Sequence, residues 1–370
     1  MKFTIIGPAY PLRGGISHHV YYLTTELTKR GHDVQVVSFR KLYPKLLFPG
    51  STELDLSAAK LDANATRILS SLNPLTWLKA YNAVKAFSPD LAVFQWWHSF
   101  FAPVIGTLAR ALQRVGIHCL LECHNVFPHE RSPFDMGLVK FATRPIDAFI
   151  THSQKDRDDL LPFAGEKQIA VCPLPVPEHL SAEAVKERDG TTILFFGTIR
   201  KYKGLEVLLH ALAKASATID CRLVVAGEFY ESIEKYRSLI SELGLDSRVT
   251  LENRYIANEE IAGIFDKADV LVLPYLSATQ SAVARMALAN GLPIIASNTG
   301  GLAEIVVDNV NGLLFPGGDA NALADRIIRY FTNNLGKEFA KNIFATRQGT
   351  QGGEIAATLE IFARDAKRFH

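Results

Sequence analysis

The sequence predicts an α/β protein made of two doubly wound domains that face a central cleft. Short apolar runs alternate with helical patterns along almost the whole chain. A proline cluster followed by a polar stretch, PLPVPEHLSAEAVKERDG at residues 173–190, divides the alternation into two series. The 370 residues suffice for two domains of about 100–200 residues, each large enough to bury its own core. The expected division is a first domain over residues 1–177, joined by a C-terminal helix at 354–370. A linker follows at 178–191, and a second domain at 192–353.

The first series opens with an apolar strand at residues 2–7, closed by Gly7. The turn-rich PAYPLRGG follows. A helical pattern then runs over residues 16–30 with Val20, Leu23 and Leu27 on one face, and Gly31 ends it. Residues 34–38 read as the next strand, which completes a β-α-β unit. Further strands fall at 91–95, 119–122, 148–151 and 169–173, with a helix at 104–115. The second series has strands at 192–196, 222–226, 249–251, 270–274 and 294–296, with a helix at 204–215. A charged helical pattern at 354–368 closes the chain. Such alternation calls for parallel sheets covered on both faces, with ligands at the carboxyl ends of the strands.

Composition narrows the function classes. Apolar residues at 48% and charged residues at 21% are ordinary for a globular chain and exclude disorder, collagen and coiled coil. Forty basic against thirty-eight acidic residues, net +2, argue against a bulk nucleic-acid binder. The four cysteines form no CxxC pair, so they read as buried apolar thiols of a reducing compartment, not as a zinc site. The apolar part of MKFTIIGPAYPL is too short for a signal peptide, and the mostly apolar residues 100–112 fall short of the roughly 20 needed to span a bilayer. A cytoplasmic location is expected, with contact at the inner face of a membrane left open.

Four segments carry candidate chemistry. Gly14-Gly15 precede the first helix; they read either as a plain turn or as a close approach of backbone N–H groups to phosphate. In FFGTIRKYKG, Arg200, Lys201 and Lys203 lie between a strand end and a helix start, as a solvated basic loop or as a diphosphate site. In PYLSATQSAVARM, Ser277, Thr279, Gln280 and Ser281 gather at a helix start, where they cap it, bind a phosphate or sugar, or do both. LECHNVFPHE follows a strand. His124 and His129 are its proton-transfer or hydrogen-bonding candidates, with Glu122 and Glu130 nearby, and the spacing does not match HExxH.

Taken in order, the GGIS loop, FFGTIRKYKGLEVLLHAL, ADVLVLPY, ANGLPIIASNTGGLAEIV and NGLLFPGGD resemble the retaining glycosyltransferases of family 4, over nearly the whole chain. SATQSAV and CHNVFPHE are similar to a bacterial subgroup concerned with cell-surface polysaccharide and lipid-linked glycans. The resemblance implies the two-Rossmann GT-B architecture and transfer of a sugar from a nucleoside diphosphate sugar to a glycan or lipid-linked acceptor. It implies that the backbone at Gly14 and Gly15 faces the donor diphosphate and that Lys203-Gly204 binds it. The family's arginine after the strand-end Gly197 falls at Thr198, so Arg200 would substitute. His124 would contact the donor sugar near the reacting carbon, and Arg254, Tyr255 and Ile256 would hold the nucleobase through backbone groups.

Two family glutamates of the third motif fall at Ala278 and Met286: either Gln280 and Ser281 at the helix start take over, or donor recognition differs, or activity is lost. His129, Glu130, Trp96 and Trp97 are the acceptor-side candidates; basic and apolar residues at 41–50 suit a lipid-linked acceptor or a membrane surface. No DxD-like run sits at a strand end, and Asp158-Asp159 lie in a charged helix, so neither an essential metal nor a cofactor beyond the donor is expected. A nucleotide-sugar 2-epimerase and a non-catalytic nucleotide-sugar binding protein are the alternatives. A dehydrogenase lacks its GxGxxG fingerprint here.

Overall fold

The computed structural model describes residues 1–43, 52–128, 131–176, 184–188, 190–346 and 353–368. The chain divides into two compact units. The first comprises Met1–Asp55, Lys60–Pro175 and Gln351–His370; the second comprises Leu56–Ala59 and Val176–Thr350.

The first unit runs β1 (Lys2–Ile6), α1 (Gly15–Lys29), β2 (Asp33–Lys41), β3 (Thr66–Ser70), α2 (Pro74–Phe87), β4 (Leu91–Trp96), α3 (Ala102–Gln113), β5 (Cys119–Cys123), α4 (Asp135–Thr143), β6 (Ala148–Thr151), α5 (Gln154–Ala164) and β7 (Ile169–Val171). Its seven parallel strands are ordered β3-β2-β1-β4-β5-β6-β7. Successive residues of a strand point to opposite faces. In β4, Ala92, Phe94 and Trp96 therefore enter one core, and Leu91 and Val93 the other. The second core is closed by the C-terminal helix Gly353–Arg368, whose Ile355, Ala356, Leu359 and Ala363 are buried with Phe3, Ile5 and Val20. Polar contacts tie that helix down: Arg30 Nη2 donates to the Gly353 carbonyl at 3.0 Å, and His32 Nε2 lies 2.9 Å from Glu360 Oε1.

The second unit runs β8 (Thr192–Phe196), α6 (Leu205–Ala215), β9 (Arg222–Ala226), α7 (Ile233–Glu242), β10 (Val249–Glu252), α8 (Asn258–Asp266), β11 (Val270–Leu273), α9 (Ala282–Ala289), β12 (Ile294–Ser297), α10 (Leu302–Ile305), β13 (Gly312–Phe315), α11 (Ala320–Thr332) and α12 (Leu335–Thr346); the C-terminal helix is α13. Its six parallel strands are ordered β10-β9-β8-β11-β12-β13. Arg188 enters this unit as a buried anchor. Its guanidinium donates to the carbonyls of Phe265, Asp266 and Ala268 and to the Asn290 amide oxygen.

Both sheets reverse their winding between the first strand of the unit and the strand that opens its second half, β1/β4 in one and β8/β11 in the other. A crevice forms at such a switch point because the flanking helices lie on opposite faces of the sheet. Among the described residues no helix is long and apolar enough to cross a membrane.

Candidate active site

In the second unit the loop after β8 is built by glycine. Gly197 has φ +97°, and a Cβ there would lie 3.0 Å from Lys203 Nζ. Gly204 has φ +71°, and a Cβ there would overlap the Pro274 carbonyl oxygen, which sits at the end of β11. The Leu276 N–H donates to the Tyr202 carbonyl at 2.7 Å and joins the two loops. This close approach buries Lys203, whose ammonium lies 5.7 Å from the Tyr275 ring centre. Burial, with Arg200 adding, lowers the Lys203 ammonium from 10.5 to about 8. Arg200 lies over the Tyr230 ring at 4.8 Å. A buried ammonium beside a guanidinium is a costly arrangement without an anion.

The loop before α9 reaches the same place. The Tyr275 and Ser281 hydroxyls share a hydrogen bond. Ser281 Oγ also accepts from the Ala284 N–H at 3.1 Å, so Ser281 caps α9. Thr279 and Gln280 are half-buried just ahead of it. A Cβ at Gly300 or Gly301 would overlap the Ala278 or Thr279 carbonyl, so the Gly-Gly pair lets this loop settle onto the turn after β12. Ala278 is buried, and Met286 is half-buried against the same core. Arg254 is exposed and spends its side chain on both oxygens of Glu260, at 2.8 and 2.6 Å, while Ile256 is a core residue and Tyr255 hydrogen-bonds Ser57 at 3.4 Å.

In the first unit Gly14 has φ +116°, α1 starts at Gly15 without a side-chain cap, and a Cβ on either glycine would meet nothing within 4 Å. Beside α1 lies a buried polar group in an apolar sheet. Gln95 and Glu122 are register partners on β4 and β5, so their side chains share a face. Glu122 Oε1 accepts from His19 Nε2 at 2.7 Å, and Oε2 accepts from Gln95 Nε2 at 2.6 Å. Gln95 Oε1 lies 2.7 Å from His124 Nε2. His152 donates Nδ1–H to the Cys172 carbonyl at 2.8 Å, and its Nε2 lies 3.5 Å from Glu122 Oε1.

Burial alone would raise the Glu122 carboxyl. The imidazoles of His19, His152 and His124 oppose it and prevail, holding Glu122 well below the usual carboxylate range. Burial pushes His124 well below the ordinary imidazole value, helped by His152 and His19 and opposed by Glu122. Among the described residues, His19, His124 and His152 also form a group whose ligand atoms lie within 4.8 Å of one another.

Of the residues singled out by sequence, Gly197, Arg200, Lys203, Gly204 and Ser281 converge in the second unit. Trp96 is a core residue, 1% exposed, its indole N–H donated to the Val126 carbonyl; so deep a ring offers no face to an acceptor sugar. Trp97 is half-buried, its ring centre 4.2 Å from that of Phe101 at a tilt of 40°, and its indole N–H donates to the Tyr43 hydroxyl. His129, Glu130 and residues 44–51 lie outside the described residues. His19, Gln95 and His152 were missed as site residues. A signal existed: His19 falls on the buried stripe of α1 with Val20, Leu23 and Leu27, and Gln95 and Glu122 interrupt otherwise apolar strands.

Two doubly wound units with loops of this kind define a GT-B fold. Residues 13–179 match the family described as Glycosyltransferase Family 4, and residues 190–333 match Glycosyl transferases group 1. Each unit thus resembles a glycosyltransferase family over most of its length. A D-inositol 3-phosphate glycosyltransferase of Xylanimonas cellulosilytica is 29% identical over 60% of this chain and 58% of its own length. The enzyme of the same name from Arthrobacter sp. is 36% identical over 54% of this chain and 49% of its own. The chain thus spans about half the length of these curated relatives. Among solved structures, a sucrose-phosphate synthase from Thermosynechococcus elongatus has a TM-score of 0.77 at 21% identity, covering 100% of both chains. Anabaena HepE in complex with UDP has a TM-score of 0.75 at 18% identity, covering 97% of this chain and 100% of its own.

Proposed function

We propose that the chain moves a sugar, with retention, from a nucleoside diphosphate sugar to a glycan or lipid-linked acceptor. The observation that carries this reading is the buried Lys203 ammonium beside Arg200 at the β8/β11 switch point, lowered to about 8 by burial and by the neighbouring guanidinium. A donor diphosphate supplies that anion. As the glycosidic bond lengthens, negative charge grows on the leaving phosphate and positive charge on the sugar. Lys203 and Arg200 answer the first without a metal. His124 contacts the sugar. Ala278 and Met286 stand where the two family glutamates would act on the sugar and ribose, so Gln280 and Ser281 at the start of α9 would take over those contacts.

The relatives' printed substrate makes a phosphorylated cyclitol the second acceptor class to try. The test is incubation of the full chain with a panel of nucleotide sugars, with and without glycan, lipid-linked and cyclitol phosphate acceptors, followed by NMR. Glycosylated product, or slow hydrolysis without acceptor, supports the reading. Epimerised donor would assign the chain to the 2-epimerases. Tight binding without turnover would make it a nucleotide-sugar binding protein, the reading that Ala278 and Met286 favour.

A further inference from the structure

Helices α2, α3 and α4 form one layer on one face of the first sheet: Ala80, Val84, Leu108, Leu112, Val139 and Ala142 all enter the same core. The outer side of that layer has a one-sided charge. α2 and α3 contain no acidic residue. α4 contains only Asp135, which is buried with its two oxygens taken by the Ser99 hydroxyl and the Ser132 N–H. Lys79, Lys85, Arg110, Arg114, Lys140 and Arg144 lie along these helices and at their ends, and no carboxylate among the described residues pairs with them. Elsewhere exposed cations meet carboxylates, as Arg30 meets Glu26, Lys155 meets Asp159 and Arg237 meets Glu234. The whole chain carries only +2, so the excess is local to this face. Burial lowers the Arg110 guanidinium, and Arg144 and Arg114 lower it further, so three guanidiniums stand close together.

The same surface exposes large apolar side chains. At 3.6 residues per turn, Phe134, Met136, Lys140, Phe141 and Arg144 fall on one side of α4, and Asp135, Val139, Ala142 and Thr143 on the other. Phe134 is 77% exposed, and at the start of α2 Leu72, Leu75 and Leu78 stand out likewise, Leu75 at 71%. Both apolar groups sit at the N-terminal ends of their helices, which is the carboxyl end of the parallel strands. A single exposed leucine is ordinary, whereas apolar clusters rimmed by charge mark a docking face. A protein interface is depleted in lysine at its centre. Here Lys79 directly follows Leu78, and Lys140 directly precedes Phe141. A lipid surface accepts that mixture: leucine and phenylalanine enter the acyl boundary, and lysine and arginine meet anionic headgroups.

We propose that the outer face of α2, α3 and α4 is a peripheral docking surface for an anionic lipid bilayer, with Leu75, Leu78, Phe134 and Met136 inserted and the neighbouring lysines and arginines on the headgroups. The surface lies wholly within the first unit and does not depend on the transferase reading. Where both hold, the bilayer delivers a lipid-linked acceptor to the strand ends that this face borders.

The test is flotation of the full chain with vesicles of phosphatidylcholine alone or with about one-third phosphatidylglycerol, at low and high salt. The expected partition coefficient is higher on the anionic vesicles by roughly tenfold or more, and the difference is lost at high salt. The Arg114→Gln, Lys140→Gln, Arg144→Gln triple variant should lower it roughly 100-fold, at about fivefold per cation. The Leu75→Ser, Phe134→Ser double variant should lower it roughly tenfold or more without changing its dependence on salt. These side chains are exposed, so Tm and the nucleoside diphosphate Kd should match the parent. Equal neutralisation in Lys155→Gln, Arg157→Gln, Arg237→Gln should leave binding within about twofold. No binding to anionic vesicles at low salt overturns the proposal. So does an equal loss in the control variant, or unaltered binding in both variants of the face. Self-association relieved by the Leu75→Ser, Phe134→Ser variant, in a chain that ignores vesicles, would make the face a contact between copies instead. A chain that binds vesicles as expected but turns over no nucleotide sugar keeps the surface and removes the transferase reading.

Discussion

Replacing Lys203 by methionine should move stability and binding in opposite directions. Methionine keeps a flexible apolar stem and removes the ammonium. In the free protein that ammonium is buried, and its fall from 10.5 to about 8 corresponds to about 3 kcal/mol of disfavour for the charged form. The sign follows from proton counting. Between about pH 8 and 10.5 the unfolded chain holds the Lys203 proton and the folded chain does not, so stability rises with pH across that window. Below about pH 8 both states hold it, and the folded state bears the full cost. At pH 7, Lys203→Met should therefore be more stable than the parent by roughly 1–3 kcal/mol, less whatever the Tyr275 contact returned. That is a rise of several degrees in Tm for the unit, and the difference should vanish above about pH 10. The same variant should bind a nucleoside diphosphate roughly 10- to 150-fold more weakly, the value of one charge-assisted bond. Differential scanning calorimetry across pH and titration calorimetry with UDP, GDP and ADP read both quantities. Calorimetry in buffers of different ionisation heat should also show proton uptake near pH 8 on binding, as the diphosphate restores the ammonium. A variant that is less stable at pH 7 and binds as the parent does would refute the reasoning, because Lys203 would then be a packing residue.

Arg200→Ala should weaken the same ligand by a comparable factor while barely moving Tm, since its guanidinium lies against a ring and is not buried. Gly204→Ala should fold poorly or lose diphosphate binding, because both the left-handed backbone and the Pro274 carbonyl oppose a Cβ; an unchanged Tm and Kd would contradict the loop packing. Arg188→Met should lower the denaturant midpoint of the second unit, at about 1–3 kcal/mol for each carbonyl left unsatisfied, and coincident wild-type transitions would count against its anchoring role. Burial raises the Asp156 carboxyl from 3.8 to about 7, so the folded chain holds a proton there that the unfolded chain loses, and this group's contribution to stability falls as pH rises from about 4 to 7. Asp156→Asn should flatten that slope in urea titrations, and an identical slope would exclude Asp156 as its source.

How much of this was legible in the sequence follows from what local pattern encodes. Strands such as β8 and β11, buried on both faces, read as continuous apolar runs, and glycines at 197 and 204 announce a sharp return. The parallel alternation then fixes the doubly wound order through handedness and crossover rules. β3 and β13 were not predicted as strands: TRILS is half-exposed at a sheet edge, and GLLF is too short to separate from a turn. Trp96 misled because a tryptophan after a strand looks available to a sugar, whereas its register places it inward with Phe94. The buried polar group around Glu122 was half-visible. Glu122 and His124 stood out as neighbours in sequence, but His19, Gln95 and His152 come from α1, β4 and the end of β6, and only sheet pairing brings them together. Charge placement was legible at Arg200 and Lys203, yet nothing local says that Lys203 is buried; that depends on Pro274 pressing against Gly204 from 70 residues away.

The claim on which the rest depends is that this chain cleaves a nucleoside diphosphate sugar at its anomeric carbon with Lys203 and Arg200 on the leaving group. Real-time ¹H NMR of the full chain with a nucleotide sugar it binds tests this directly. The predicted result is stoichiometric release of nucleoside diphosphate with a first-formed sugar product of the donor's own anomeric configuration, abolished in the Lys203→Ala, Arg200→Ala double variant. Release with inverted configuration would contradict retention. Release at the parent rate from the double variant, or none from any donor that binds, would contradict the claim itself.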